Sequence, residues 1–204
     1  MTKIVAIVMA YQCADVILSC LQSVDGLVDE ILCFDGRWEG YTGADHSTDG
    51  TDKVIIEFAK TSKSKVSYFQ LPLLHQWESR TEALKHLNNG DWAIMLDSDE
   101  HIIEWGNDIH DRLASSNAKA YRVCWTLFKT YGAMPTPRCI RKTETLHYST
   151  DHRRVFDKDG EIDLRHMPII HIVIEHQKGF EKKKMRKQAE LYKNWLLDYE
   201  QGIT

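Results

Sequence analysis

The sequence lacks several features that mark whole classes of protein. Its 204 residues contain no apolar run near the roughly 18 residues that a membrane span needs, so we expect no transmembrane segment. The formal net charge of -4 gives no reason to expect a nucleic acid partner. Internal repeats, low-complexity tracts and interdomain linkers are also missing, so we expect a single domain over 1–204.

Cysteines are few, odd in number and without the paired spacing of a metal site. Three of the five lie in apolar segments, so we expect reduced thiols in a cytoplasmic protein. These residues are Cys13, Cys20, Cys33, Cys124 and Cys139.

The first half of the chain alternates strand-like and helix-like segments. Apolar runs predict four strands, and segments with helical spacing of apolar residues predict three helices between them. The predicted strands cover 3–10, 30–34, 65–71 and 92–96, and the helices cover 15–23, a segment after 47–51, and 78–87. This alternation predicts an α/β fold with a mostly parallel sheet that is covered on both faces.

The pattern changes in the second half. We expect a helix over 102–113, a long strand over 120–130 and short strands over 135–174. The short strands are predicted to be antiparallel or mixed, and a final helix is predicted over 180–200.

Three carboxylates directly follow the predicted fourth strand. Asp97 and Asp99 are two residues apart, so a turn can aim both at one point near the edge of the sheet. Such a pair suits Mg²⁺ or Mn²⁺ shared with substrate phosphates. The simpler interpretation is that polar residues only mark the end of a strand.

Several motifs lie in a fixed order, among them a Ser-Thr-Asp-Gly-Thr turn at 47–51, an Arg-bearing helix at 79–84 and the Asp-Ser-Asp at 97–99. In this combination the chain resembles the family 2 glycosyltransferases. The resemblance implies the GT-A fold, a single Rossmann-like sheet flanked by helices. It also implies a nucleotide-sugar-binding half at 1–100 and, at 101–204, an acceptor-side half with the C-terminal helix.

The resemblance implies a role for each matching residue. Asp35 ends the second strand, where the family reads the nucleotide base, and Asp49 would shape the loop and contact the nucleotide. Arg80 matches an arginine on the helix before the metal strand. Asp97 would face the ribose and a metal-bound water, and Asp99 would ligate the metal.

The sequence departs from the family at three places in this half, one of which is Tyr11-Gln12 in place of a common pairing near the end of the first strand. Residues 37–46 are inserted between Asp35-Gly36 and the turn at 47–51, which are usually contiguous in the family. Thr81 stands where many relatives carry asparagine.

Late histidines and lysines offer further candidates. The resemblance implies that His171 completes the metal site, which would favour Mn²⁺ over Mg²⁺ because imidazole is a ligand. It also implies that Lys178 and Lys182 hold the diphosphate. The simpler interpretation of the histidines is that they form hydrogen bonds within the fold or lie on the surface. The simpler interpretation of the lysines is that they form the solvated face of a helix.

An inverting transfer needs a carboxylate to deprotonate the acceptor hydroxyl. Asp151 lies in a polar turn beside a histidine, and we expect it to be this general base. Other acidic residues that qualify by position are Glu144, Asp157 and Glu175.

The motifs together predict a metal-dependent, inverting glycosyltransferase. Its donor would be a nucleotide-diphospho-sugar, a UDP-sugar first of all, and its acceptor a hydroxyl of a glycan, lipid or protein. One alternative is a nucleotide-sugar-binding protein without transferase activity. Another is a sugar-phosphate nucleotidylyltransferase, although residues 9–15 lack the glycines of its phosphate loop.

Overall fold

A computed structural model describes residues 2–127, 130–133, 136–150 and 154–176. The first half alternates strands and helices as predicted. Its elements are β1 (Ile4–Ala10), α1 (Ile17–Val24), β2 (Glu30–Asp35), α2 (Thr51–Ala59), β3 (Lys65–Gln70), α3 (Gln76–Leu84) and β4 (Trp92–Asp97).

These four strands form a parallel sheet in the order β3-β2-β1-β4. All seven residues of β1 are buried, as expected for a central parallel strand with both faces covered. Its even-numbered residues belong to one apolar core and its odd-numbered residues to a second core on the opposite face. The strand alternation therefore places the sheet between two layers.

Helix α1 shows why these segments fold as they do. Its buried residues Ile17, Cys20, Leu21 and Val24 recur at helical spacing and form one apolar face. This face packs in the first core together with Ile55 and Phe58 of α2. Helix α3 contributes Ala83 and Leu84 to the second core.

The second half extends the sheet with mixed strand directions. From β4 the order continues β4-β8-β6-β12-β5, where only the β6 and β12 pair is parallel, and β7 pairs with β6. The elements are β5 (Glu100–Trp105), α4 (Ile109–Ser115), β6 (Ala120–Leu127), β7 (Thr130–Ala133), β8 (Cys139–Arg141), β9 (His147–Tyr148), β10 (Val155–Asp157), β11 (Gly160–Glu161) and β12 (Ile169–His176). Strands β9, β10 and β11 form a separate small sheet.

The helix predicted over 102–113 is wrong in its first part. Glu100–Trp105 is strand β5, which pairs antiparallel with β12, and the helix α4 begins only at Ile109. The sequence separations of the buried residues Ile102, Ile109 and Leu113 would also suit one face of a helix. Gly106 separates the two elements, and its backbone N–H donates to the carbonyl of His171 in β12.

Two expectations about the whole chain can be compared with the described residues. All five cysteines are free thiols. Within the part of the chain that the structure describes, no helix has the length and apolar character needed to cross a membrane. The final helix predicted over 180–200 lies outside the described residues.

Candidate functional site

The site lies where β1, β2 and β4 end. In the parallel registers, Ala10 pairs with Asp35, and Met9 pairs with Asp97. The last residues of the three strands therefore meet at one edge, which we call the carboxyl edge. Open α/β sheets bind ligands outside this edge.

Asp97 is held at the carboxyl edge by two arginines. Its Oδ1 accepts a 2.6 Å hydrogen bond from Nη2 of Arg80, and its Oδ2 accepts a 3.1 Å bond from Nη2 of Arg138. Burial raises the pKa of Asp97, but the charges of Arg80 and Arg138 outweigh that effect and hold this pKa well below its usual value. Asp97 is therefore ionised and fixed in orientation before any ligand arrives.

Glu100 completes this group beneath the edge. Its Oε1 lies 2.7 Å from Nη2 of Arg138, and its Oε2 accepts a 2.8 Å hydrogen bond from the backbone N–H of Asp97. Burial raises the pKa of Glu100 above its usual value, against the opposing charge of Arg138. We call Arg80, Asp97, Glu100 and Arg138 the charge cluster.

Asp99 and His176 lie next to the charge cluster and are partly exposed. The Nδ1 of His176 lies 3.8 Å from Oδ1 of Asp99, and its Nε2 lies 3.3 Å from Oε1 of Glu100. Burial lowers the pKa of His176, but hydrogen bonding to Asp99 and the negative charges of Glu100 and Asp99 outweigh it and raise this pKa. The last residue of β12 thus faces the Asp-Ser-Asp turn.

A carboxylate and an imidazole at this separation fit an open divalent metal site. Such a site uses one or two protein ligands and leaves the remaining positions to water and substrate phosphates. Among the described residues, no group of three or more histidine, cysteine, aspartate or glutamate side chains is arranged to hold a metal. Asp99 and His176 are the two described side chains beside the charge cluster that could take part in holding a divalent cation.

His171, the histidine predicted as the metal ligand, lies elsewhere on β12. Its Nε2 lies 2.8 Å from Oε2 of Glu104, and its side chain is exposed. It lies five positions before His176 along the strand, about 16 Å at ~3.3 Å per residue. The described geometry brings His176 to the Asp-Ser-Asp turn and leaves His171 paired with Glu104.

Asp35, the predicted base reader, is completely buried. Its Oδ1 accepts a 2.7 Å hydrogen bond from the hydroxyl of Ser47, and its Oδ2 accepts a 2.8 Å bond from the hydroxyl of Tyr68. The backbone N–H of Ser47 also lies 3.1 Å from Oδ2. The carboxylate therefore already has three donors from within the protein.

Asp49 joins two loops at the carboxyl edge. Its Oδ2 accepts a 3.0 Å bond from the N–H of Ala14, and its Oδ1 accepts bonds from the N–H and hydroxyl of Thr51. Gln12 has a positive φ of 46°, and its backbone N–H donates to Ser47. These contacts favour the loop-shaping role that the sequence predicts for Asp49.

A cavity of about 300 Å³ opens beside these residues. Its lining includes two residues of the 37–46 insertion, so the insertion forms part of the site. The lining has a charged end with Asp97, Asp99 and His176, and an aromatic end with Tyr11, Trp38 and Tyr41.

Three predicted residues lie outside the described residues: Asp151, Lys178 and Lys182. Of the other acidic residues considered as the base, Asp157 is buried and its Oδ2 lies 2.8 Å from Nζ of Lys119. Glu144 is exposed. Glu175 precedes His176 in β12, and its Oε2 lies 3.4 Å from Nε2 of His101.

Arg138 and Glu100 were given no role by the sequence analysis. Arg138 directly precedes β8, and β8 runs antiparallel to β4, so the start of one strand lies beside the end of the other. The N–H of Met95 donates to the carbonyl of Arg138, which fixes this placement. A cation before a short apolar strand was visible in the sequence, but its pairing with β4 was not.

Comparisons with known proteins agree with this fold. The sequence model described as Glycosyl transferase family 2 matches residues 5–104. No curated protein sequence matches the chain.

Three crystal structures share the fold at low sequence identity. S. aureus TarS 1-349 is 16% identical with a TM-score of 0.52, covering 69% of this chain and 47% of that one. A second S. aureus TarS structure is 14% identical with a TM-score of 0.59, covering 87% and 37%. The 4-diphosphocytidyl-2C-methyl-D-erythritol synthase of Anaerococcus prevotii is 13% identical with a TM-score of 0.53, covering 91% and 93%. The chain thus spans less than half the length of either TarS structure.

Proposed function

We propose that this chain, whose residues 5–104 match the sequence model of glycosyl transferase family 2, transfers a sugar from a nucleotide-diphospho-sugar to an acceptor hydroxyl. The observation that carries the proposal is the arrangement of Asp97, Asp99 and His176 around one cavity at the carboxyl edge. The two arginines that hold Asp97 keep the anionic site ionised. A cavity of this kind suits a diphosphate with a divalent cation.

Asp99 and His176 are the residues that would hold Mg²⁺ or Mn²⁺, and the imidazole favours Mn²⁺. When bound, the cation supplies positive charge that stabilises the departing diphosphate. Arg80 and Arg138 set the orientation of Asp97, and its carboxylate would accept hydrogen bonds from the ribose or from a water of the cation. The placement of His171 against Glu104 makes His176 the better ligand.

The general base of an inverting transfer is Asp151 in this proposal, with Glu175 as the alternative. Glu175 has the advantage of position, since it is next to His176 at the end of β12. Either carboxylate would take the proton from the acceptor hydroxyl as it attacks the sugar. Lys178 and Lys182 follow β12 in sequence and would hold the diphosphate.

The donor is proposed to be a UDP-sugar, and the acceptor a glycan, lipid or protein hydroxyl. A cytoplasmic location is proposed from the free cysteines.

A second candidate function is that of a sugar-phosphate nucleotidylyltransferase. The fold of the Anaerococcus prevotii synthase favours it, since that likeness extends over 91% of this chain. The absence of glycine from residues 9–15 speaks against it.

The test is a product assay with a panel of nucleotide-sugars in the presence of Mn²⁺ or EDTA. A glycosyltransferase releases the nucleoside diphosphate from its donor, and faster with an acceptor present. A nucleotidylyltransferase instead releases pyrophosphate from a nucleoside triphosphate and a sugar phosphate. Donor binding without any release would identify a nucleotide-sugar-binding protein and contradict the proposal.

A further inference from the structure

The 37–46 insertion is a built loop with internal bonds. The backbone N–H of Arg37 donates a 2.8 Å hydrogen bond to the carbonyl of Asp45, and Nη2 of Arg37 lies 3.0 Å from Oδ1 of Asp45. The Nη1 of Arg37 donates to the carbonyl of Tyr41. One arginine thereby joins the beginning, middle and end of the loop.

The loop is also attached to the rest of the site. The N–H of Glu39 donates to the carbonyl of Leu74, and the carboxylate of Glu39 lies 3.1 Å from Nε2 of His75. The hydroxyl of Tyr11 donates a 2.9 Å bond to the carbonyl of Ala44. The loop is therefore anchored at two places, at Leu74 and His75 before α3 and at Tyr11 after β1.

Gly43 permits the close approach of the loop to Tyr11. Its φ is +130°, and a Cβ at this position would lie 2.6 Å from the hydroxyl oxygen of Tyr11. Any other residue would have to displace the tyrosine or the loop. The attachment of the loop to Tyr11 thus depends on a glycine within the insertion.

Two aromatic rings of this loop face the cavity. The rings of Trp38 and Tyr41 lie 6.0 Å apart at 77°, and both line the cavity that contains Asp97 and Asp99. Trp38 packs against the second core, whereas Tyr41 is 58% exposed. An exposed tyrosine ring, fixed beside a cavity by a bonded loop, is a surface for a planar ligand.

The residue that follows the insertion, Ser47, donates to the acceptor atoms of Asp35. Both its hydroxyl and its N–H donate to this carboxylate. With Tyr68 as the third donor and no exposed surface, Asp35 contacts a base only if Ser47 moves away. In this chain Asp35 anchors the end of the insertion.

From these contacts we propose that the nucleobase of the donor stacks on the aromatic rings of the inserted loop, instead of hydrogen-bonding to Asp35. The inference rests on the proposed function, because it takes the ligand to be a nucleoside diphosphate. The diphosphate lies at the charged end of the cavity, and the base reaches the aromatic end. Every base has a π-face, so stacking distinguishes poorly between bases and nucleotide selectivity is low.

The experiment measures binding of UDP, CDP, GDP and ADP, with inorganic pyrophosphate as a ligand that lacks a base. The wild-type protein in Mn²⁺ should bind the four nucleotides within about tenfold of each other. Tyr41→Ala should weaken all four by about fivefold to a hundredfold, the usual effect of losing one stacking ring. Tyr41→Phe, the matched control, keeps the ring and should retain the affinity.

Pyrophosphate affinity should be the same in all three proteins. Equal nucleotide binding by wild type and Tyr41→Ala would overturn the inference and leave the proposed function standing. A preference for UDP above about a hundredfold would also overturn it, because stacking alone does not produce such selectivity. Absence of nucleotide binding by the wild type would overturn both proposals.

Discussion

Arg138 and Glu100 form a buried ion pair, with Nη2 of the arginine 2.7 Å from Oε1 of the glutamate. Their side chains are 8% and 0% exposed. Taking two charges out of water is costly, so such a pair contributes little net stability. Removing one partner destabilises the protein strongly, because the other charge is then buried without compensation. Its effect here is geometric, because the same guanidinium nitrogen also binds Asp97.

Replacing Arg138 with methionine should destabilise the protein strongly. The change leaves Glu100 buried without this partner and removes one of the two cations that hold Asp97. Breaking a buried pair on one side costs about 3–5 kcal/mol of the free energy of unfolding. Urea denaturation of Arg138→Met gives this value directly.

The matched control is Arg165→Met, which removes an exposed ion pair with Asp163. An exposed pair contributes about 0–1 kcal/mol, so this variant should unfold near the wild-type midpoint. If both variants lose the same small amount, the charge cluster is not the rigid group described above.

Ser47→Ala should loosen the 37–46 insertion. It removes the hydroxyl donor from the buried carboxylate of Asp35, while the other contacts of that carboxylate remain. Losing the hydrogen bond to the buried carboxylate costs about 1.5–3 kcal/mol, and the Ser47 hydroxyl is also lost as acceptor for the N–H of Gln12. The unfolding free energy measures this cost, and limited proteolysis within 37–46 should become faster.

Tyr68→Phe removes a different donor from the same carboxylate without touching the insertion. It should lower stability by a similar amount and leave the proteolysis of the loop unchanged. Equal proteolysis of the loop in both variants would show that Ser47 does not anchor it.

The two histidines of β12 should differ in their effect on metal binding. His176→Ala removes the imidazole beside Asp99 and should weaken Mn²⁺ binding in the presence of UDP by at least about tenfold, since even outer-shell partners of metal sites have effects of that size. His171→Ala, on the same strand, should leave Mn²⁺ binding unchanged because its side chain pairs with Glu104. Titration of Mn²⁺ followed by electron paramagnetic resonance measures both, and the opposite order would return the ligand role to His171.

Replacing the general base should lower turnover without weakening donor binding. We expect Asp151→Asn to reduce the transfer rate by about 10²–10⁴-fold and to keep the wild-type affinity for the donor. Glu175→Gln is the parallel variant, and it should retain transfer. A large rate loss in Glu175→Gln with near-normal transfer in Asp151→Asn would assign the base to Glu175.

The parallel half of the fold could be predicted from the sequence because its information is local. A strand buried on both faces, such as β1, must be a continuous apolar run, and helix α1 carries its buried residues at helical spacing. The position of the Asp-Ser-Asp turn was also predictable, because it comes directly at the end of the apolar run of β4. The carboxyl edge of the sheet was therefore predictable.

The charge cluster and the choice of histidine depend on pairings between distant segments. Arg138 reaches Asp97 because β8 runs antiparallel to β4, and His176 reaches Asp99 because the β12 register pairs it with Glu100. Strand β5 is not evident from the sequence, because Ile102 fits one helical face together with Ile109 and Leu113. No local pattern gives these registers.

The central claim is that Asp99 supports metal-dependent binding of a nucleoside diphosphate, and calorimetry with UDP tests it most directly. The wild-type protein should bind UDP at least about tenfold more tightly with Mn²⁺ than with EDTA, the size of effect known for partners of metal sites. Asp99→Asn, which keeps the shape and removes the charge, should bind UDP equally weakly in both conditions. Equal affinity of the wild type with Mn²⁺ and EDTA, or an undiminished metal effect in Asp99→Asn, would contradict the account.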